Sequence, residues 1–301
     1  MNKLIFFGTP DFAIPILQKI INSKFKIQAV YTQPAKKSKR GLKILKSPIH
    51  ILAEKNNLNI RTPKILQDDE EYLKKLDFDL AVVVAYGQIV PNNFLTFCSK
   101  GFVNVHASIL PKYRGAAPIQ RCILNSDKVT GISIMKLSEK LDCGPVCNVY
   151  KIDINYNENS LSLSKRLSEL AANKIIENIN LIIQNKINFE KQENSKASYA
   201  KKILNSETKI DWTKTSNQVQ SKVNGLYPRA WFEFEKERYK ILECYKINLQ
   251  GKPGCILDEK LTIACGTDSI RVKKIQRQGK KVQNIKQFLL GSKFKKGFII
   301  D

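Results

Sequence analysis

Asp79-Leu80-Ala81-Val82-Val83-Val84-Ala85 is an unbroken apolar run behind one aspartate. It lacks the polar alternation of a half-solvated strand and is too short for a helix buried on all sides. A strand covered on both faces fits it, and such strands form the middle of parallel sheets. Similar runs flank it: Leu4-Ile5-Phe6-Phe7 ending at Gly8, then Ile27 to Tyr31, then Phe102 to Ala107. Helical patterns lie between them. Phe12 to Ile21 carries apolar residues at helical spacing. Ser47-Pro48 opens another helix, a capping hydroxyl followed by a proline suited to the first turn. Its apolar side is Ile49, Leu52 and Ala53, and its polar side is His50, Glu54 and Asn57, so His50 reads as solvated. Alternating strands and helices predict an α/β fold, a parallel sheet with helices on both faces.

After about residue 190 the character changes. Glu193-Asn194-Ser195-Lys196-Ala197-Ser198 is polar and reads as part of a linker over 191–205. Asp211 to Val223 reads as a helix. Short β-like runs follow at Ala230–Phe234, Lys240–Ile247, Gly254–Leu257, Leu261–Ala264 and Ser269–Ile275. Five short strands in this space predict a small barrel. The expected organisation is therefore a first domain over 1–190, the linker, and a second domain over 206–301.

The 301 residues carry 43% hydrophobic and 26% charged side chains, which excludes a disordered or collagen-like chain. The seven cysteines form no CxxC pair, so reduced thiols are expected, and two histidines without a thiol cluster predict no metal site. No stretch approaches the roughly 18 apolar residues of a membrane span. The N-terminus enters a buried strand almost at once, so a soluble, cytoplasmic protein is expected, and a monomer because nothing marks an interface.

The net charge is +24, from 51 basic and 27 acidic residues. Only 9 of the 51 are Arg, and Lys, Ile and Asn are abundant together, a composition that an AT-rich genome also produces. Distribution favours a polyanionic partner. No acidic residue lies between Asp11 and Glu54, where Lys36-Lys37-Ser38-Lys39-Arg40-Gly41-Leu42-Lys43 forms a loop. None lies between Asp268 and Asp301, where Arg271, Lys273, Lys274, Arg277, Lys280 and Lys281 fall close together. Lys36, Lys37, Lys39, Arg40, Lys43, Arg271, Lys273 and Lys274 are the candidate nucleic-acid contacts.

Val103-Asn104-Val105-His106-Ala107 holds the chemistry. Alternate strand residues share a face, so Asn104 and His106 point one way and the valines the other. An amide and an imidazole at the end of a buried strand are costly unless paired or used. Asn donates to a developing oxyanion, and His shares a proton near neutrality. Ser108-Ile109-Leu110-Pro111 then leaves as an extended segment suited to the edge of a flat heterocycle. Asp142, in Leu141-Asp142-Cys143-Gly144-Pro145, either orients His106, accepts a proton, or is an ordinary turn residue. Gly8-Thr9-Pro10-Asp11 lacks the later glycines of a dinucleotide fingerprint, which argues against a nicotinamide enzyme.

The run Asn104-Val105-His106-Ala107-Ser108-Ile109-Leu110-Pro111 resembles the signature of the folate-dependent formyltransferases. Its continuation, Lys112-Tyr113-Arg114-Gly115-Ala116-Ala117-Pro118-Ile119-Gln120, resembles the methionyl-tRNA formyltransferases in particular. Gly8 to Ala13, Ala85-Tyr86-Gly87-Gln88-Ile89-Val90-Pro91, Ile210-Asp211-Trp212 and Tyr227-Pro228-Arg229-Ala230-Trp231 are similar to the same family, in the same order. The resemblance implies a Rossmann-like formyltransferase domain followed by an OB-like β-barrel that helps hold tRNA. It implies 10-formyltetrahydrofolate as donor and methionyl-initiator tRNA as acceptor. Asn104, His106 and Asp142 fall on the catalytic positions. Ser108, Ile109, Leu110 and Pro111, with Tyr86, Gly87, Gln88 and Ile89, fall on the folate-binding ones. Arg40 falls on the loop that meets the acceptor stem. One departure stands out: the family's Gly-Leu-Asp-Thr-Gly reads Lys140-Leu141-Asp142-Cys143-Gly144 here.

Two rivals make different predictions. A formyltransferase for a small amine would share Asn104, His106 and Asp142 without needing a basic second domain. An RNA-binding protein with a decayed folate site would bind tRNA without turnover.

Overall fold

The structure is a computed structural model that describes residues 1–37 and 44–300. It separates into two compact units. The first comprises Met1–Gly115, Gly131–Ile152 and Ser164–Tyr199; the second comprises Ala116–Thr130, Asp153–Leu163 and the chain from Ala200 onward.

The chain runs through β1 (Lys3–Gly8), α1 (Ile14–Ile21), β2 (Lys26–Tyr31), the two-residue strands β3 (Lys36–Lys37) and β4 (Ile44–Leu45), α2 (Pro48–Lys55), β5 (Ile60–Arg61), α3 (Glu70–Lys75), β6 (Leu80–Val84) and β7 (Phe102–His106). There follow α4 (Pro118–Leu124), which belongs to the second unit, then β8 (Val129–Lys136), β9 (Val146–Asp153) and the long α5 (Ser160–Ile183). The main sheet has the order β5-β2-β1-β6-β7-β8-β9. Its first five strands pair in parallel, and β8 runs antiparallel to β7.

Every residue of β6 is buried, as its continuous apolar run requires: the strand is central and both faces are covered. One face packs Ile5, Phe7, Ala29, Tyr31, Ala81, Val83 and Phe102 into a single core. Burial of each large side chain there contributes about 1.5–3 kcal/mol. The antiparallel end formed by β8 and β9 is absent from the sequence reading. Gly131 interrupts the β8 pattern, yet close packing demands it: a Cβ there would lie 2.1 Å from the Tyr150 carbonyl oxygen. The α2 start is as read, with Ser47 Oγ accepting from the His50 amide at 3.0 Å. His50 itself is only half-exposed. Its Nδ1 is enclosed without a hydrogen-bond partner among the described residues, so the ring is not solvated as expected.

The second unit contains α6 (Ser216–Gly225), β10 (Trp231–Phe234), β11 (Glu237–Ile247), β12 (Thr262–Ala264), β13 (Ser269–Arg277), β14 (Gln283–Asn284) and α7 (Ile285–Leu289). The strands form one antiparallel sheet in the order β10-β11-β13-β12, with β14 also on β13. Register shifts around Glu243 bulge β11 and let a long strand bend, as a curled small-barrel sheet needs. Glu235 and Lys236, both with positive φ, make the tight β10–β11 turn, a conformation whose twist matches the strands it joins. The core gathers Trp212, Phe232, Tyr239, Ile241, Phe288 and Phe294. Two expectations need correction. Gly254–Leu257 makes only isolated bridges, Cys255 to Ile299 and Ile256 to Ile263. The helix begins at Ser216 rather than Asp211, because Asp211 instead closes a turn by accepting from the Thr213 amide at 3.0 Å.

Candidate active site

Asn104 and His106 end β7, where Asn104 lies between Val83 of β6 and Met135 of β8, and His106 lies opposite Ser133. The amide of Asn104 is half-buried, and no hydrogen bond among the described residues engages it. It is available to donate. His106 is 6% exposed. Its Nε2 donates to the Tyr113 carbonyl at 2.9 Å; a carbonyl only accepts, so the neutral ring carries its proton on Nε2. Nδ1 is thereby left basic, 3.6 Å from Asp142 Oδ2. That separation is too long for a hydrogen bond, and the contact becomes attractive only when a proton is placed between the two groups.

Asp142 sits in the left-handed region at φ 50°. Its carboxylate accepts from the Gly115 amide at 2.8 Å, and its own carbonyl accepts from Gln192 Nε2 at 2.8 Å. Lys140, at the position where the family has glycine, does not need positive φ, so its side chain is tolerated and exposed. Gly144 is needed for space, since a Cβ would lie 1.9 Å from the Lys136 carbonyl oxygen. Cys143 donates its thiol to the Leu141 carbonyl at 3.2 Å. All seven cysteines are free thiols, and burial pushes Cys98, Cys122 and Cys147 up to about 11.

Ser108–Pro111 does not continue extended as expected; it turns. Lys112 donates its amide to the Ile109 carbonyl at 3.1 Å, and Ser108 Oγ donates to the Lys112 carbonyl at 2.6 Å. Buried Ser133 staples the segment from below, donating to the Ser108 carbonyl at 2.7 Å and accepting from the Leu110 amide at 3.0 Å. Tyr86 is 2% exposed, its ring edge-on to Phe7 and its hydroxyl enclosed without a partner among the described residues. What it offers the turn is its carbonyl, which accepts from Thr9 Oγ1 at 2.7 Å. Gly87 and Ile89 are exposed, and Gln88 donates to the Pro63 carbonyl at 2.9 Å.

The sequence reading gave no role to the polar groups that brace this turn. Arg114 is 2% exposed and donates to Gln192 and Asn194, and Tyr113 donates its amide to Ser198 Oγ at 3.0 Å. Residues 190–199 thus run beside 111–115, with Arg114 bridged to Tyr199. Among the described residues, no cluster of His, Cys, Asp or Glu is placed to hold a metal ion.

The basic candidates divide. Lys36 and Lys37 pair with Leu45 and Ile44 in the β3–β4 hairpin, while Lys39, Arg40 and Lys43 lie outside the described residues. Arg271 is committed internally, donating to Asp258 Oδ2 at 2.6 Å and to Thr262 Oγ1 at 2.8 Å. Lys273 and Lys274 lie 3.9 and 2.8 Å from Glu243 on the exposed surface. The second unit also has an open pocket, lined in part by Gln120, Lys202, Tyr227 and Arg229, that no pattern in the sequence announced.

The chain matches the formyl transferase model over residues 1–179 and the formyl transferase C-terminal domain model over residues 202–293. It is 52% identical to the methionyl-tRNA formyltransferase of Pelagibacter ubique, across 98% of this chain and 97% of that protein. With the methionyl-tRNA formyltransferase of Brucella canis the identity is 38%, across 98% and 99%. Among solved structures, an N-formyltransferase from Helicobacter canadensis, in complex with folinic acid and dTDP-3-aminofucose, shares the fold. Its TM-score is 0.71 at 24% identity, covering 92% of this chain and all of that one. By sequence over nearly its whole length, and by fold, the chain belongs to the formyl transferase family.

Proposed function

We propose that this chain transfers the formyl group of 10-formyltetrahydrofolate to the amino group of methionyl-initiator tRNA. The observation that carries the reading is the near full-length identity to enzymes named for that reaction; the closeness of Asp142 to His106 at the end of β7, the strand that also carries Asn104, supports it. In the proposed step the uncharged methionyl amine attacks the formyl carbon. A carbon–nitrogen bond forms and the carbonyl electron pair moves onto oxygen, where the free amide of Asn104 donates. The amine proton passes to the Asp142–His106 pair. Collapse breaks the bond to the folate nitrogen, which leaves with a proton as tetrahydrofolate. No covalent enzyme intermediate is needed.

Donor binding is assigned to Ser108–Pro111 and the 86–89 turn, and tRNA binding to the 36–43 loop and the basic tract from Arg271 to Lys281. The enzyme is taken to act as a monomer in the cytoplasm. Among the described residues no helix is long and apolar enough to cross a membrane.

The test is purified protein with 10-formyltetrahydrofolate and methionyl-initiator tRNA, scored for N-formylmethionyl-tRNA. Asn104→Ala is the control; loss of one oxyanion donor should lower kcat by about 100- to 1000-fold. Formylation abolished in the variant, with its fold intact, is the expected result. Absence of formylation by the wild type, or full turnover by the variant, overturns the reading.

A further inference from the structure

We propose that Arg114 and Gln192 are positioning residues for the reaction, clamping the Asp142 turn so that its carboxylate faces His106. This rests on Asp142 serving the reacting centre, as proposed above. Arg114 is fully charged at any working pH and is 2% exposed. Among the described residues no carboxylate pairs with its guanidinium. Nε and Nη2 instead donate to Gln192 Oε1 at 3.0 and 2.9 Å, and Nη2 donates also to Asn194 Oδ1 at 3.0 Å. A charge buried against neutral amides is a costly arrangement unless it fixes something.

What it fixes is the Gln192 amide. With its oxygen filled by two guanidinium donors, Gln192 has only one orientation that satisfies its bonds. Nε2 then donates to the carbonyls of Asp142 and Gly144, at 2.8 and 2.7 Å. Those carbonyls bracket the turn in which Asp142 is held at positive φ, a region uncommon for residues other than glycine and one that aspartate tolerates better than most. The next residue along from Arg114 completes the clamp: the Gly115 amide donates to Asp142 Oδ2 at 2.8 Å. The Arg114 side chain thus holds the Asp142 backbone through Gln192, while the chain at Gly115 holds its carboxylate. Loss of the amide donors would let the turn relax and move the carboxylate away from His106 Nδ1.

Gln192→Glu is the discriminating variant. It keeps one oxygen for Arg114 and adds a countercharge, but it loses both N–H donors and sets its second, negative oxygen against two carbonyls. Arg114→Lys is the second variant, keeping the charge without the fork that fixes the amide. Steady-state kcat and both KM values are measured beside thermal melting, each protein well below its own midpoint. Gln192→Glu should melt near the wild type yet lose kcat by roughly ten- to a hundredfold, since small misplacements cost that much. Both KM values should stay within about twofold, the pattern of a loss confined to the transition state. Arg114→Lys should lose kcat in the same way. Wild-type kcat in either variant, or a loss confined to KM, overturns the clamp. Asp142→Asn in the same assay separates the two layers: inactivity there with a normal Gln192→Glu removes only the clamp, whereas wild-type turnover in Asp142→Asn removes the role of Asp142 itself.

Discussion

At the scale of single residues, the site depends on polar groups that leave little slack. Ser133 is fully buried and serves both sides of one turn, accepting from the Leu110 amide and donating to the Ser108 carbonyl. Ser133→Ala strands two buried backbone groups, at a cost of about 1–3 kcal/mol each. The variant should melt several degrees lower and bind the folate donor more weakly, because the segment assigned to the pterin loses its anchor. A melting curve and a donor titration check this; unchanged values in both would mean that the turn holds without Ser133. The residues proposed to carry the chemistry were legible in the chain. The spacing of Asn104 and His106 on one strand put both side chains on one face, and the structure keeps them there. Their supports were not legible, since nothing local marks a serine, an arginine and a glutamine as partners of one loop.

At the scale of elements, strand β2 is tied to the 3-10 turn ahead of α3 by a compact polar cluster. Tyr31 donates to Asp69 Oδ2 at 2.8 Å and Arg61 Nε donates to the same oxygen at 3.0 Å. Burial alone would push Asp69 up, but the hydrogen bonds from Arg61 and Tyr31 outweigh it and hold its carboxyl below the ordinary 3.8. Burial, with Asp69 beside it, pushes the Tyr31 hydroxyl well above its usual range. The sign for Asp69 follows: it contributes stability that is complete above the ordinary value and is lost as pH falls below 3.8 through the lower folded value. Asp69→Asn should therefore melt lower than wild type at neutral pH, and the gap should shrink in acid. A pH-independent gap would show that packing, not ionisation, sets the contribution of Asp69. The sequence reading recovered β1, β2, β6, β7 and most of the second-unit strands, because each carries its own apolar period. It missed β8 and β9, where glycine and alternating partial burial blur that period, and it began α6 early because Asp211 reads like a cap but closes a separate turn.

At the scale of the molecule, charge has to be sorted by what each cation already does. Arg271 is tied into Asp258 and Thr262, whereas Lys280 and Lys281 are exposed and their side chains are unpaired among the described residues. Arg271→Ala should lower the melting midpoint and leave tRNA affinity nearly unchanged. Lys280→Ala and Lys281→Ala should leave the melting midpoint alone and reduce the slope of log affinity against log salt by about one each. The opposite pattern would reassign the basic tract to folding. Truncation before residue 206 is a poor test of the second domain. Helix α4 groups with the second unit and packs on α6, where Leu124 and the Gln120 carbonyl lie against Gly225, so cutting away α6 uncovers Leu124.

The sequence by itself determined the fold class, the two-part character of the chain, the basic tracts and the strand that carries Asn104 and His106. Each is a local property: apolar period, turn chemistry and charge order are written along consecutive residues, and backbone hydrogen bonding turns them into elements directly. Only the tertiary structure decided which distant groups meet. It set Asp142 beside His106, placed Arg114 and Gln192 beneath that turn, put Ser133 under Ser108 and Leu110, and assigned α4 to the second unit. Those pairings join residues far apart in the chain, and they are selected by the closure of buried polar groups and shared cores, neither of which leaves a period in sequence.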